Sequence, residues 1–330
     1  MEFKVLGPLE VTIGESPLAL GGRKQRLVLA HLIVRANAVV STDVLIDEVW
    51  DEAPPDSVRS TLQGYVSHLR RALGERLEGR TSGYVLHVHE GELDAASFEA
   101  MVREAKRSLT ADPATAATGL ADALALWRGA AFADLADESS LQGEIARLDE
   151  LRLGATEHRI AAELAAGRHS TMVSELEALT SRYPLRERLW AHLMLALYQG
   201  GRQAEALDAY QRARQVLADE LGADPSAELQ HLNRQILDQD PELRGVHAPA
   251  PPSTVRASRG DLAPGTEFAG YRIEAVLGRG GMSVVYLAEH LALGRKVALK
   301  LLAPQLADDD RFRERFVRES RVAAGMEHSN

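Results

Sequence analysis

One stretch of this sequence has the clearest helical pattern. Five apolar residues recur at steps of three and four: Val58, Leu62, Val66, Leu69 and Leu73. This spacing places them on one stripe of an α-helix. Asp56 or Ser57, directly after the pair Pro54-Pro55, is suited to be the N-cap. The pattern therefore predicts a helix that begins directly after Asp56 or Ser57 and continues to Leu73, with its apolar stripe buried.

The polar side of this predicted helix contains no carboxylate. It carries short hydrogen-bonding side chains, one glycine and several arginines: Arg59, Ser60, Thr61, Gln63, Gly64, Ser67, His68, Arg70 and Arg71. Such a helix can lie in a major groove of DNA, where its centre reads base edges and its rim holds phosphates. We expect Arg71 at the centre, with Arg59 and Arg70 at the rim. The pattern alone also fits a solvated amphipathic helix that binds no DNA. The neighbouring elements are therefore needed to choose between these two interpretations.

The segments on both sides alternate between strand and helix patterns. Apolar residues at every second position on both sides of Gly7-Pro8 predict a small antiparallel sheet at the N-terminus. A helix over 23–36 follows, then a short extended piece and a second helix that Ser41 or Thr42 caps and that reaches Trp50. Beyond the third helix, a turn glycine at Gly83 precedes alternating residues, as in the returning strand of a hairpin.

A sheet, three helices and a hairpin form the order of a winged helix. The segment 1–90 resembles the OmpR/PhoB-type DNA-binding domain in its Tyr-Val-Ser-His-Leu-Arg-Arg-Ala-Leu run (65–73) and in its Arg-Thr-Ser-Gly-Tyr wing (80–84). The resemblance implies that the third helix enters the major groove and that Arg80 reaches the adjacent phosphates or minor groove. Gly64 and Ser67 stand where many relatives carry longer side chains, so the base sequence that relatives read does not carry over.

Residues 91–244 are almost entirely helical in pattern, because Ala, Leu, Glu and Arg dominate and no strand alternation appears. Gly167 and Gly201 lie 34 residues apart, and five residues around the second glycine have the spacing of a tetratricopeptide helix pair: Trp190, Leu193, Ala206, Tyr210 and Ala213. The copy around the first glycine is degenerate. Two further helices are predicted over 95–109 and 114–127.

The same segment is similar to the bacterial transcriptional activator domain of antibiotic-pathway regulators of the SARP type. The similarity rests on Trp-Arg-Gly with Asp-Leu (127–135), on a later run over 189–210, and on the order of the two domains. It implies a surface for a second protomer or for RNA polymerase. The alternative is a plain scaffold. Under either interpretation we expect four aromatic residues to be core: Trp127, Trp190, Tyr198 and Tyr210.

A proline-rich stretch over 245–265 predicts a flexible or semi-extended linker. Beyond it, strand patterns flank a glycine loop and end in Val-Ala-Leu-Lys (297–300), with a glutamate 19 residues later. Together these resemble the N-lobe of a Hanks-type Ser/Thr kinase. The resemblance implies a vestigial ATP site formed by Gly278, Gly280, Ser283, Val285, Lys300 and Glu319. Ser283 replaces the third glycine, a substitution that is compatible with the backbone role of the loop.

The sequence holds neither a His-Arg-Asp catalytic loop nor an Asp-Phe-Gly motif. Phosphoryl transfer would lack both its base and its metal ligand. We therefore expect no catalytic residue, no metal site and no cofactor in this chain, with ATP-Mg required only by a complete kinase domain. A longer fusion protein cut short is the favoured interpretation over a gene that ends here. A regulator that senses nucleotide has little support, because half of any ATP pocket is absent.

The formal net charge of −10 arises in the helical middle segment, where 26 acidic residues face 16 basic ones. Residues 57–80 hold five arginines against two glutamates, so a local basic surface coexists with an acidic protein. The chain has no cysteine, which excludes disulfides and cysteine-bound metals. It also has no apolar run near the length of a membrane span. These features favour a cytoplasmic protein without a membrane partner.

The sequence thus predicts a multidomain protein: a winged helix (α+β) over 1–90, an all-α tetratricopeptide-like domain over 91–244, a linker over 245–265, and a partial α+β kinase N-lobe over 266–330. We expect a sequence-specific transcriptional activator of a biosynthetic pathway. It would bind double-stranded DNA at tandem repeats as a homo-oligomer and recruit RNA polymerase. The alternative is a Ser/Thr kinase, complete only in a longer chain, whose N-terminal domains target it to DNA.

Overall fold

The computed structural model describes residues 1–50, 54–243, 262, 264–279, 283–291 and 294–302. The N-terminal part contains two three-stranded antiparallel sheets and three helices. The leading sheet has the order β1-β2-β3, and the second sheet has the order β4-β6-β5. The elements are β1 (Glu2–Lys4), β2 (Glu10–Ile13), β3 (Ser16–Pro17), α1 (Arg23–Val34), β4 (Val40–Ser41), α2 (Thr42–Trp50), α3 (Val58–Leu73), β5 (Leu77–Arg80) and β6 (Gly83–Leu86). This order confirms the predicted winged helix.

The predicted third helix, α3, buries its apolar stripe. Leu62, Val66, Leu69 and Leu73 are buried, and Val58 is half-buried at the first turn. Ser57 is the N-cap, but its side chain makes no capping hydrogen bond. Its carbonyl oxygen instead accepts hydrogen bonds from Ser60 Oγ (2.8 Å) and Thr61 Oγ1 (3.1 Å). The predicted position of the cap is right. The hydrogen bonds at the helix start, however, are accepted by the backbone carbonyl of Ser57 and not by its side chain.

Seven helices follow: α4 (Asp94–Ser108), α5 (Pro113–Leu124), α6 (Gln142–Ala165), α7 (His169–Arg182), α8 (Glu187–Gln199), α9 (Gln203–Leu221) and α10 (Ala227–Leu237). The prediction that the second of these extends to Trp127 is wrong, because α5 ends at Leu124. The chain leaves the helix there, and the amide of Arg128 donates to the carbonyl of Leu6 (2.7 Å) in the leading sheet.

The 34-residue repeat has a backbone counterpart. Gly167 (φ +82°) and Gly201 (φ +78°) both adopt the left-handed conformation in the turns α6–α7 and α8–α9. A side chain would be strained in both positions. Three of the four aromatic residues predicted as core are buried, namely Trp127, Trp190 and Tyr198. Tyr210 is half-buried and packs against the core that contains Trp190 and Tyr198. The helical segment is therefore built from packed helix pairs.

The hydrophobic cores do not divide at residue 90. One continuous core includes Phe3 of the leading sheet, Phe98 of α4 and Leu148 of α6. A second core begins at Ile160 and continues through α7–α10. The predicted boundary at residue 90 thus marks a change from mixed to helical structure, whereas the two cores meet within α6.

The C-terminal part is a four-stranded antiparallel sheet of order β10-β9-β8-β7: β7 (Glu267–Phe268), β8 (Tyr271–Arg279), β9 (Ser283–His290) and β10 (Arg295–Leu302). The three strands predicted around the glycine loop are present as β8, β9 and β10. Lys300 and Gly278 are both in register with Val285. The positions of Gly280 and Glu319, and most of the predicted linker, lie outside the described residues. Within the described helices, none combines the length and apolar character of a membrane span.

Candidate nucleic-acid interface

The polar face of α3 lies on the surface. Seven of the nine residues predicted to face DNA are exposed, and Thr61 and His68 are half-buried. A Cβ added at Gly64 would meet no atom within 4 Å, so packing within the chain does not require a glycine there. The glycine leaves the centre of the exposed face flat, which permits a close approach by another molecule.

The first turn of α3 presents hydroxyl groups with fixed orientation. Because Ser60 and Thr61 donate their protons to the carbonyl of Ser57, the lone pairs of both oxygens remain available as acceptors. In this arrangement the two hydroxyls suit donor groups such as the exocyclic amines of adenine and cytosine.

His68 is placed differently from the other predicted contact residues. Its Nε2 atom is buried and has no hydrogen-bond partner among the described residues. A Cβ at Gly21 would lie 3.3 Å from His68 Cδ2, so the ring packs against the loop that precedes α1. Nε2 of His68 is therefore not presented on the surface of α3, because this shoulder of the helix packs towards the loop before α1. That His68 contacts DNA stays a prediction.

Arg70 connects the third helix to the wing, the hairpin of β5 and β6. Its Nε atom donates to the carbonyl of Leu77 at 3.0 Å. Its guanidinium lies over the wing, since a Cβ at Gly79 would be 3.1 Å from Arg70 Nη2. Arg70 thus fixes the position of the wing relative to α3 and remains exposed at the rim.

The other three arginines differ in their partners. Arg59 pairs with Asp43 of α2 at 2.6 Å, and Arg80 pairs with Glu78 of the wing at 2.8 Å. Arg71 is exposed and makes no ion pair or side-chain hydrogen bond within the part of the chain that the structure describes. The arginine predicted at the centre of the face is therefore the one whose guanidinium has no carboxylate or carbonyl partner among the described residues.

The helix α2 and the wing are held by close contacts. Ser41 Oγ accepts a hydrogen bond from the amide of Val44 (3.2 Å), which makes Ser41 the cap of α2. Trp50 at the end of α2 stacks on Tyr65 of α3, with ring centroids 5.8 Å apart and planes parallel within 2°. A Cβ at Gly83 would lie 1.9 Å from the carbonyl oxygen of Val40, so only glycine lets β6 pair with β4.

Two carboxylates attach the winged helix to the helical segment. Asp94, the first residue of α4, accepts hydrogen bonds from the amides of Val5 (2.8 Å) and Leu6 (3.0 Å). Burial raises the pKa of Asp94 above its usual value. Asp134 accepts from the amide of Leu9 (2.6 Å) and pairs with Arg26 of α1 (2.6 Å).

Sequence reasoning missed this junction. Only the Asp-Leu pair at 134–135, which belongs to the motif that resembles the activator domain, was a signal for it. No group of three or more potential metal ligands occurs among the residues that the structure describes.

The sequence matches two family models. The family described as "Transcriptional regulatory protein, C terminal" matches residues 16–90, and "Bacterial transcriptional activator domain" matches residues 93–237. The first match covers α1–α3 and the wing, and the second runs from the residue before α4 to the end of α10.

Several curated relatives extend across both segments. The regulatory protein DnrI of Streptomyces peucetius is 39% identical over 272 residues, which are 78% of this chain and 100% of DnrI. The transcriptional regulatory protein EmbR of Mycobacterium tuberculosis H37Rv is 35% identical over 290 residues, 85% of this chain and 75% of EmbR. The regulatory protein AfsR of Streptomyces griseus is 37% identical over 314 residues, and there the match covers 88% of this chain but only 32% of AfsR.

A solved structure has the same architecture. The structure of Mycobacterium tuberculosis EmbR in complex with a low-affinity phosphopeptide superposes with a TM-score of 0.71 at 30% sequence identity, over 91% of this chain and 93% of EmbR. The family matches, the full-length similarity to DnrI and this superposition agree on the order of the two domains. The chain belongs to the SARP-type family of DNA-binding transcriptional regulators, in which an OmpR/PhoB-type winged helix precedes a bacterial transcriptional activator domain.

Proposed function

We propose that the chain activates transcription of a biosynthetic pathway by binding tandem operator repeats through α3 and the wing. The observation that carries the proposal is the exposed face of α3, which has no carboxylate and has Arg71 available at its centre. Arg70 supports it further, because it holds the wing beside the helix through its bond to Leu77. A helix in the major groove with a wing on the neighbouring phosphates accounts for both features.

The test compares binding to promoter DNA next to the protein's own gene with binding to random DNA. Arg71→Ala should reduce the discrimination between the two by about 1–3 kcal/mol, because a base contact is lost. Arg70→Ala should weaken binding to both DNAs similarly and reduce the salt dependence by about one unit. Arg103→Ala, at an exposed position on α4, is the control and should change neither. Equal losses on both DNAs for Arg71→Ala would refute the base-reading role.

We also propose that residues 91–244 pair protomers on DNA and contact RNA polymerase. Packed helix pairs such as α6–α7 and α8–α9 offer extended surfaces for partners. Sedimentation of the full chain with DNA that carries one or two half-sites measures the stoichiometry. Two chains binding cooperatively to the longer DNA support the proposal, and independent binding of each chain contradicts it. Run-off transcription with purified RNA polymerase tests the proposed contact with the polymerase.

A further proposal concerns residues 266–330, which we infer to be the first part of a Ser/Thr kinase N-lobe in a longer protein. It is supported by three antiparallel strands, by Gly278 at the end of β8 before the glycine loop, and by Lys300 in register with Val285. ATP-Mg would then be a ligand of the parent protein. Sequencing the reading frame beyond Asn330 tests this: His-Arg-Asp and Asp-Phe-Gly motifs downstream would support it, and their absence would contradict it.

A further inference from the structure

The four arginines around the candidate DNA surface fall into two groups. Arg70 donates to a backbone carbonyl, and Arg71 makes no ion pair within the described ranges. Arg59 and Arg80 each contact a carboxylate of the same winged helix. A carboxylate and a phosphate both present a pair of oxygens that can accept hydrogen bonds from a guanidinium. A carboxylate bound to an arginine therefore uses the same N–H donors that a phosphate would use.

The first such pair joins two helices. Arg59 at the start of α3 donates from Nη2 to Asp43 Oδ1 of α2 at 2.6 Å. Both side chains are well exposed, at 66% for Arg59 and 74% for Asp43. An exposed pair of this kind contributes little to the stability of the fold. The guanidinium can therefore exchange its partner when a phosphate arrives.

The second pair lies in the wing. Arg80 donates from Nη2 to Glu78 Oε2 at 2.8 Å, and Nε2 of His87 lies 3.0 Å from the same oxygen. The hydrogen bond with His87 is the main reason why the pKa of Glu78 is below its usual value. Glu78 thus stays charged beside Arg80, which is 52% exposed.

We propose that Asp43 and Glu78 are intramolecular competitors of DNA phosphate, which lower the affinity of the winged helix for all DNA. Each carboxylate must release its arginine before that arginine can contact a phosphate. Because phosphate contacts are independent of sequence, the cost applies to operator and random DNA alike. This inference rests on the proposed contacts of Arg59 and Arg80 with phosphates.

The size of the effect follows from the strength of exposed ion pairs. Such a pair corresponds to a change of about two- to five-fold in an equilibrium constant. Asp43→Asn and Glu78→Gln should therefore each raise the affinity for random DNA by about that factor. In the double variant the factors should multiply, since the two pairs share no residue. Each substitution should also steepen the dependence of log K on log salt by up to about one unit.

The experiment is fluorescence anisotropy of the full chain with labelled random DNA over a series of salt concentrations. The matched controls are Asp47→Asn on α2 and Glu75→Gln just after α3. Both remove one negative charge at an exposed position, and neither residue pairs with an arginine among the described residues. If the controls raise the affinity as much as Asp43→Asn and Glu78→Gln do, the effect is general charge and the proposal is overturned.

A double-mutant comparison separates this inference from the proposed function. Asp43→Asn should have no effect beyond that of its control in an Arg59→Ala background, and Glu78→Gln should behave likewise in Arg80→Ala. If Arg59→Ala and Arg80→Ala leave DNA binding unchanged, the proposed phosphate contacts fail. If those two variants weaken binding but the carboxylate variants match their controls, the contacts stand and the competition is refuted.

Discussion

His192 in α8 provides a direct test of how burial controls the stability of the helical domain. Both of its ring nitrogens are buried, and neither has a hydrogen-bond partner within the described residues. Burial lowers the pKa of His192 from 6.5 to about 4, and the positive charge of Arg188 and the neighbouring His158 act in the same direction. The folded state therefore holds His192 neutral.

The sign and size of the effect follow from proton linkage. Between pH 6.5 and about 4 the unfolded chain binds a proton at His192 and the folded chain does not, so the free energy of unfolding falls as the pH falls. From pH 7 to pH 5 this one group should cost about 2 kcal/mol, since each unit of pKa difference corresponds to about 1.4 kcal/mol. The loss should be complete only below about pH 4, where the folded state also binds the proton.

The assay is urea denaturation of the wild type and of His192→Leu, followed by circular dichroism at pH 7 and at pH 5. Replacing two unpartnered nitrogens by apolar atoms should leave stability at pH 7 equal or higher. The stability difference between the two proteins should then grow by about 2 kcal/mol at pH 5. His31, whose pKa burial also lowers, is present in both proteins, so its contribution cancels in the comparison. His231→Leu, at an exposed position on α10, should show no such growth. A difference that stays constant with pH would refute the reasoning.

Two further predictions concern the junction and the C-terminal sheet. Asp94→Ala should lower the free energy of unfolding by about 2–4 kcal/mol, because the amides of Val5 and Leu6 lose their acceptor. The control Asp122→Ala, at an exposed position on α5, should change the free energy of unfolding by no more than about 0.5 kcal/mol. Equal effects of the two substitutions in urea denaturation would contradict this prediction. Lys300→Met should leave DNA binding unchanged, and calorimetry of the 330-residue protein should show no saturable ATP-Mg binding at submillimolar concentration. Saturable binding that Lys300→Met abolishes would favour a nucleotide-sensing regulator.

The elements of the winged helix were predictable because their signals are local. The stripe from Leu62 to Leu73 has the period of a helix, and the glycine at 83 marks the hairpin. The burial of Trp127 and Trp190 followed from their place in helical patterns. Such signals require only a few neighbouring residues, so one sequence suffices to detect them.

The features that sequence reasoning missed depend on distant contacts. Asp43 and Arg59 are 16 residues apart, and only the angle between α2 and α3 brings them together. Asp94 and Asp134 bind backbone amides about 90 and 125 residues away. The helical period gives the angle of His68 around α3 but not the position of the loop before α1, against which its ring packs. No local pattern encodes these distances.

The junction between the winged helix and the helical segment has a consequence for operator architecture. Because Asp94, Asp134 and a common core fix α3 relative to α4–α6, the direction of α3 in each protomer is set by the helical segment that we propose to pair with a second protomer. No flexible tether is available at this point to absorb a change in spacing. Inserting about five base pairs between two half-sites turns one of them to the opposite side of the double helix. Such a promoter would lose cooperative binding. Inserting a complete turn of DNA would return both half-sites to the same side of the double helix but would not restore the original distance between them.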